Sequence, residues 1–165
     1  MMIEMKVSGL TLDPMTNTPI VILKDLEEKK AIPIWIGLFE ASAIATQIEK
    51  VTFSRPMTHD LIHETLKALE VEILRIEIND LKNNTFFARL HLRREGKELN
   101  IDSRPSDAIA LALRAAAPIY VDEKVIEKSR NVDFASKKDL DKLKEEKLSE
   151  FLENLSPEDF GKYKM

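Results

Sequence analysis

Two segments of the chain gather side chains able to handle a phosphate, a proton or a hard metal ion. They are Ser54-Arg55-Pro56-Met57-Thr58-His59-Asp60 and Asp102-Ser103-Arg104-Pro105-Ser106-Asp107. Each places Ser-Arg-Pro, then carboxylates, just ahead of an apolar-periodic run that predicts a helix. A helix start exposes backbone N–H groups without intrahelical partners at the positive end of the macrodipole, so it holds anions well. In the first segment His59 and Asp60 are of the types that carry protons or bind metals, and the Arg55 fork fits a phosphate. The competing explanation is helix capping, with Thr58 as N-cap, Asp60 in the first turn and Pro56 fixing the approach. In the second segment Asp102 ends a predicted strand and Asp107 opens a helix, beside Arg104 and Ser106. Two carboxylates at one sheet edge would suit Mg²⁺ or Mn²⁺, hard ions that prefer oxygen. A structural Arg–Asp pair with a first-turn Asp accounts for the same residues. Because both segments precede helices and follow elements of one sheet layer, they are expected to lie side by side. His59, Asp60, Asp102, Arg104 and Asp107 would then surround one site, with Arg55, Arg104, Thr58 and Ser106 available to a phosphate.

Other candidates carry less. His59 and His63 share a helical face, and with Asp60 they read His-Asp-x-x-His. A zinc protease pattern would need Glu in place of Asp60, and no third ligand is placed. Glu40 is an ordinary first-turn glutamate. Phe87, Arg89, His91 and Arg93 share one strand face, which reads as the solvated side of a sheet with Arg75 and Glu77 opposite rather than as a single-strand platform. Trp35 belongs to core or interface. The chain has four Gly and neither a Walker-type loop nor a dinucleotide fingerprint.

The elements that would position these residues follow from periodicity. Residues 2–12 alternate as a strand, 13–19 form a loop, and 20–24 with 31–36 form a hairpin. Residues 38–50 are helical, and a second helix from Thr58 carries Leu61, Ile62, Thr65, Leu66 and Leu69 as an apolar stripe. A second hairpin spans 71–79 and 85–94, with Leu74, Ile76, Ile78, Phe86, Ala88, Leu90 and Leu92 toward the core. A strand then ends near Asp102, and the helix of 105–116, apolar nearly all round, should be the most buried. Pro118 stops it, a short strand covers 119–121, and a helix covers 122–130. A weak internal echo links Ile34-Trp35-Ile36-Gly37 and Ala43-Ile44-Ala45 with Asn100-Ile101-Asp102 and Ala108-Ile109-Ala110. The fold expected is α+β: a mixed, mostly antiparallel sheet from two hairpins with helices packed on it. The domain would span residues 1–135, followed by a charged helical extension over 136–165.

The chain has 165 residues, 44% of them hydrophobic and 33% charged, enough for one domain with a real core. The charged residues are mostly Lys and Glu, and Gln occurs once, a thermophile-like balance. Without cysteine there is no disulfide, thiolate zinc site or cysteine nucleophile. The N-terminus does not read as a signal peptide, and no apolar run approaches the ~18 residues of a spanning helix, so a soluble cytoplasmic protein is expected. Net charge is -4, so nucleic acid would have to be met by local patches or a metal. Trp35, Phe39 and the Ala-rich helices offer more apolar surface than a domain of this size needs, and a symmetric homodimer or larger homo-oligomer is expected.

The series Ile32-Pro33-Ile34-Trp35-Ile36-Gly37, Glu40-Ala41, Arg55-Pro56-Met57-Thr58-His59-Asp60, Thr85-Phe86-Phe87-Ala88 and Asp102-Ser103-Arg104-Pro105-Ser106-Asp107-Ala108-Ile109-Ala110-Leu111 resembles the bifunctional nuclease domain family over residues 2–130. The resemblance implies an α+β domain and a nuclease acting on DNA and RNA. The polar signature positions it matches are Arg55, Thr58, His59, Asp60, Asp102, Arg104, Ser106 and Asp107, and His63 is not among them. Two functional readings stay open. In a metal-assisted phosphodiesterase Asp102, Asp107 and Asp60 hold Mg²⁺ or Mn²⁺, His59 moves the proton, and Arg55 and Arg104 bind phosphate. In a non-enzymatic oligomeric scaffold the same residues form a paired structural network.

Overall fold

Alternation near the N-terminus produces strand β1 (Met2–Leu12), and the turn-rich segment after it leads into β2 (Pro19–Asp25) and β3 (Ala31–Trp35). The computed structural model describes residues 1–130. Helices α1 (Leu38–Ile48) and α2 (Thr58–Ala68) follow, then β4 (Glu72–Lys82), β5 (Thr85–Arg94) and β6 (Lys97–Ser103). The chain continues through α3 (Pro105–Ala115), β7 (Ile119–Asp122) and α4 (Glu123–Ser129). The expected extension over 136–165, and the boundary before it, lie outside the described residues.

The seven strands form one sheet in the order β3-β2-β1-β7-β4-β5-β6. Only β4 and β7 pair in parallel, so the fold is the α+β arrangement expected from the two hairpins. Each half is a three-stranded meander followed by a helix, β1-β2-β3-α1 and β4-β5-β6-α3, and β7 joins the halves at the middle. The sequence echo falls on the equivalent β3-to-α1 and β6-to-α3 passages. In the second half the meander is closed by tight turns. Asn83 and Asn84 both have positive φ, as do Glu95 and Gly96, the backbone that a two-residue hairpin needs and that Asn and Gly tolerate.

The core is dominated by aliphatic side chains. Ile34, Ile44, Ile76, Ile78, Ala88, Ala108, Ile109, Ala110, Val121 and Val125 are among those buried between sheet and helices. Helix α3 buries most of its residues, because Ala, Ile and Leu surround its axis and Pro105 and Pro118 bracket it. Two expectations need correction. Leu74 is only half-buried and Ile73 takes the core position, because a bulge between Ile73 and Arg75 shifts the alternation. Helix α2 buries none of its residues: Leu61, Ile62 and Leu69 stay exposed, and of its stripe only Leu66 packs against the core.

The two sheet edges differ. β3 carries Pro33, which has no N–H to offer, and Ile32–Ile34 are buried. β6 is exposed along nearly its whole length, including Leu99 and Ile101. On the face holding Phe87, Arg89, His91 and Arg93 the solvated side expected holds for Phe87, Arg89 and Arg93, but His91 is buried, 2.9 Å from Glu77 and 3.2 Å from Arg75. Arg75 and Glu77 lie opposite His91 and Arg89 in the register, Arg93 bonds Glu72, and Arg75 Nε donates to Glu77 at 2.7 Å. Trp35 is half-buried and its indole N–H donates to Asp13 at 2.9 Å.

Candidate functional site: three helix starts on one groove

The strand-to-helix passage at β6–α3 sets Arg104 as the N-cap residue of α3 and Pro105 as its first residue, which puts Asp107 in the first turn. Asp107 accepts from both sides. Its Oδ2 receives Arg104 Nε at 2.8 Å, and its Oδ1 lies 2.9 Å from His59 Nε2. Arg104 Nη1 also reaches Glu40 Oε1 at 2.8 Å. The starts of α1, α2 and α3 thus converge on one hydrogen-bonded chain, Glu40–Arg104–Asp107–His59. Glu40 can fold back to join it because Gly37 precedes α1. A Cβ at Gly37 would stand 2.1 Å from Glu40 Oε2.

Burial alone would raise the Asp107 carboxyl, but hydrogen bonds from Arg104 and His59 outweigh it and hold Asp107 below the usual aspartate range. The Asp107 carboxylate in turn raises Arg104, which stays charged. The chain opens on a groove of about 650 Å³ lined by His59, Asp107, Glu40 and the well-exposed Arg104. The rest of the lining is mostly apolar: Phe39, Phe53, Met57, Ile62, Leu66, Leu90, Leu92 and Ile101. The His59 side chain is 12% exposed, so it is recessed yet reachable from the groove.

The two Ser-Arg-Pro segments do adjoin, through His59 and Asp107, but the structure divides the expected constellation. Asp60 turns away from Asp107 and receives Arg114 Nε at 2.6 Å and the Met57 N–H at 3.0 Å. Burial again opposes ionisation, and the Arg114 bond with the Met57 N–H overcomes it, so Asp60 also lies below the usual range. Asp102 sits opposite Arg89 in the register while its neighbour Ile101 sits opposite Leu90. Strand alternation sets the Asp102 side chain on the opposite face of β6 from Ile101, yet both residues border the groove. Thr58 is not the N-cap. That place is taken by extended Met57, whose N–H the Asp60 carboxylate accepts, and Thr58 is the exposed first residue of α2. Arg55 is exposed in the approach to α2, and Ser106 is buried in the first turn of α3. His63 borders a different cavity, of about 420 Å³, with Lys67 and Glu70.

Two of the three carboxylates expected to hold Mg²⁺ or Mn²⁺ are already paired here. Such an ion takes several oxygen ligands. Asp107 is committed to a guanidinium and an imidazole and Asp60 to another guanidinium, while Asp102 borders the groove on the other face of β6. No group of three or more His, Asp or Glu among the described residues could hold an ion.

Two residues of the site were underweighted by sequence reasoning. Glu40 belongs to the network; its signals were the Gly37 three positions before it and its place in the series that resembles the family. Arg114 was missed. Its side chain is 5% exposed and bonds Asp60, the Ala43 carbonyl at 3.0 Å and the Ala110 carbonyl at 2.9 Å. A lone arginine inside an otherwise apolar helix was the available signal.

The carboxyls of Asp60 and Asp107 are depressed in the folded chain, so the folded state binds fewer protons than the unfolded one. The stability they contribute is fully present above their ordinary value of 3.8 and is lost as pH falls through their lower folded values. The melting temperature is therefore expected to drop below about pH 4. An acid titration followed by circular dichroism checks this, and a melting temperature indifferent to acid would contradict it.

Among the described residues no helix is long and apolar enough to cross a membrane. A family model described as "Bifunctional nuclease domain" matches residues 21–133. An uncharacterized protein of Mycobacterium tuberculosis is 37% identical over 162 residues, covering 95% of this chain and 97% of its own length. More distant likenesses are the plant proteins named bifunctional nuclease 1. The Oryza sativa protein is 23% identical over 57% of this chain, and the Arabidopsis thaliana protein 26% identical over 64%. The matched regions make up 29% and 34% of those longer proteins.

Proposed function

The chain belongs to the bifunctional nuclease domain family, and from that premise we propose that it hydrolyses phosphodiester bonds of DNA and RNA in the groove between α1, α2 and β6. The observation that carries this reading is the Glu40–Arg104–Asp107–His59 chain, set where three helix starts meet at an open groove. His59 accepts the proton of the attacking water or hydroxyl and returns it to the leaving oxygen. Asp107 fixes the ring through Nε2 and leaves Nδ1 for that exchange. Arg104 and the backbone N–H groups of the helix starts meet the phosphate charge. No step is assigned to a divalent ion, because Asp60 and Asp107 are already paired with Arg114, Arg104 and His59.

Purified full-length protein incubated with defined DNA and RNA tests the proposal. Cleavage of both is expected, and it is expected to persist in EDTA. A strict requirement for Mn²⁺ would overturn the metal-free assignment of the proton and charge handling.

A second reading has its own observation. Every charge in the network is met by a partner of the same network, the pairing expected of a structural clamp in an oligomeric, non-enzymatic scaffold. Absence of cleavage by a protein with an intact cooperative melt would establish that reading instead.

A further inference from the structure

The groove joins a few paired charges to a mostly apolar lining, an unusual combination for a protein that acts on a polyanion. Net charge is -4 for the whole chain. Arg104, flanked by Glu40 and Asp107, offers a single phosphate contact and no extended basic surface. Duplex binding draws mainly on neutralised phosphates and released counterions. Binding here must draw on something else, and what the groove offers is aromatic and aliphatic surface. Phe39, on α1, is 80% exposed at its edge. Phe53, Ile62 and Leu66 line it from the α2 side, and Leu90, Leu92 and Ile101 from the sheet. A base inside a duplex hides its faces and cannot enter such a slot, whereas an unpaired base presents both.

We propose that the groove binds an unpaired nucleobase, so that single-stranded nucleic acid is the substrate class and Phe39 is a base-stacking residue. This rests on the nuclease reading for the chemistry at the phosphate, but the base slot is a separate binding claim. The base enters the apolar part of the groove, and its phosphate lies toward Arg104. Glu40 then serves as the anion that occupies the Arg104 fork until a phosphate displaces it. His59, recessed in the wall, is reached by a single strand that can bend into the groove and not by the rigid backbone of a duplex.

The experiment uses the full chain carrying His59→Ala, so that bound strands are not cut. Fluorescence anisotropy compares a short single-stranded oligonucleotide, the same sequence as a duplex, and a single strand with abasic sites in place of its central bases. The expected result is that the duplex and the abasic strand each bind at least about tenfold more weakly than the intact single strand. Adding Phe39→Ala should lower binding of the intact strand to the abasic level. Because Phe39 is exposed, its loss removes no core packing. Equal binding of single strand and duplex, equal binding of intact and abasic strands, or indifference to Phe39→Ala would each overturn the proposal. Failure of any strand to bind, with light scattering giving a dimer mass that Phe39→Ala reduces to monomer, would assign the groove to a second copy of the chain. Base-dependent binding together with a wild type that cuts nothing would sustain the base slot and remove the nuclease reading.

Discussion

Replacement of His59 by alanine is expected to lower cleavage of both DNA and RNA by about 10²–10⁴-fold, the usual contribution of a positioned proton carrier. The imidazole is the one group in the network whose type serves as both proton acceptor and proton donor. Its partner is fixed: Asp107 lies 2.9 Å from Nε2 and is itself anchored by Arg104. Asp107→Asn keeps the shape of that partner but removes its charge and places an amide where two donors converge, so a loss of similar order is expected. The decisive readout is chemical rescue. Imidazole added to the His59→Ala protein should restore part of the rate, which a purely structural histidine would not permit. Full activity in the alanine variant would end the assignment. An inactive variant that imidazole cannot rescue, with an unchanged melt, would move His59 from chemistry to positioning.

The largest effect on stability is expected from Arg114→Leu. The Arg114 guanidinium is almost wholly buried and satisfies the Asp60 carboxylate and the carbonyls of Ala43 and Ala110. Leucine preserves much of the packing volume but takes the guanidinium from a carboxylate that keeps only the Met57 N–H, and from two helix carbonyls. Breaking one side of a buried pair costs about 3–5 kcal/mol. Asp60 keeps partial access to water, which places this case near about 3 kcal/mol, or roughly 10 °C in melting temperature for a chain of this size. Thermal denaturation measures it directly. The double variant Arg114→Leu with Asp60→Asn should recover part of the loss, since it removes the unpaired charge. A single variant melting within a degree or two of wild type would show that the bond is solvent-compensated. Activity should fall as well. Helix α2 buries none of its own residues, so its attachment to α3 depends heavily on two neighbouring polar residues, His59 on Asp107 and Asp60 on Arg114. Asp107 and Arg114 are seven positions apart, about two helical turns, and so present one face of α3 to α2.

The strands and helices were legible because each carried a period of its own. β1 took its expected bounds from the alternation of Ile3, Met5 and Val7, and α3 from its prolines and alanines. The bulge at Ile73–Arg75 was not legible, since one extra residue in a strand leaves composition unchanged. The stripe on α2 misled because periodicity gives the direction of an apolar face and not what covers it. For the site, the sequence brought the two Ser-Arg-Pro segments together on the ground that both precede helices in one layer, and the His59–Asp107 bond joins them. It did not separate Asp102 from Asp107. The parity of a residue on an edge strand depends on pairing with β5, which local pattern does not carry. Nor did it single out Arg114, whose role depends on a helix that closes on it from 54 residues away.

The position of β7 has a consequence for the order in which the chain folds. Each meander is built from neighbouring hairpins, so both can form from local contacts as soon as their residues are available. Strands β1 and β4, however, each gain their second partner only from β7, which begins at Ile119. Until that four-residue strand arrives, the nascent chain holds two half-sheets with open inner edges, the kind of unpaired edge that invites association between chains. Closure of the sheet therefore waits on one of its shortest strands, the long-range pairing that completes the fold.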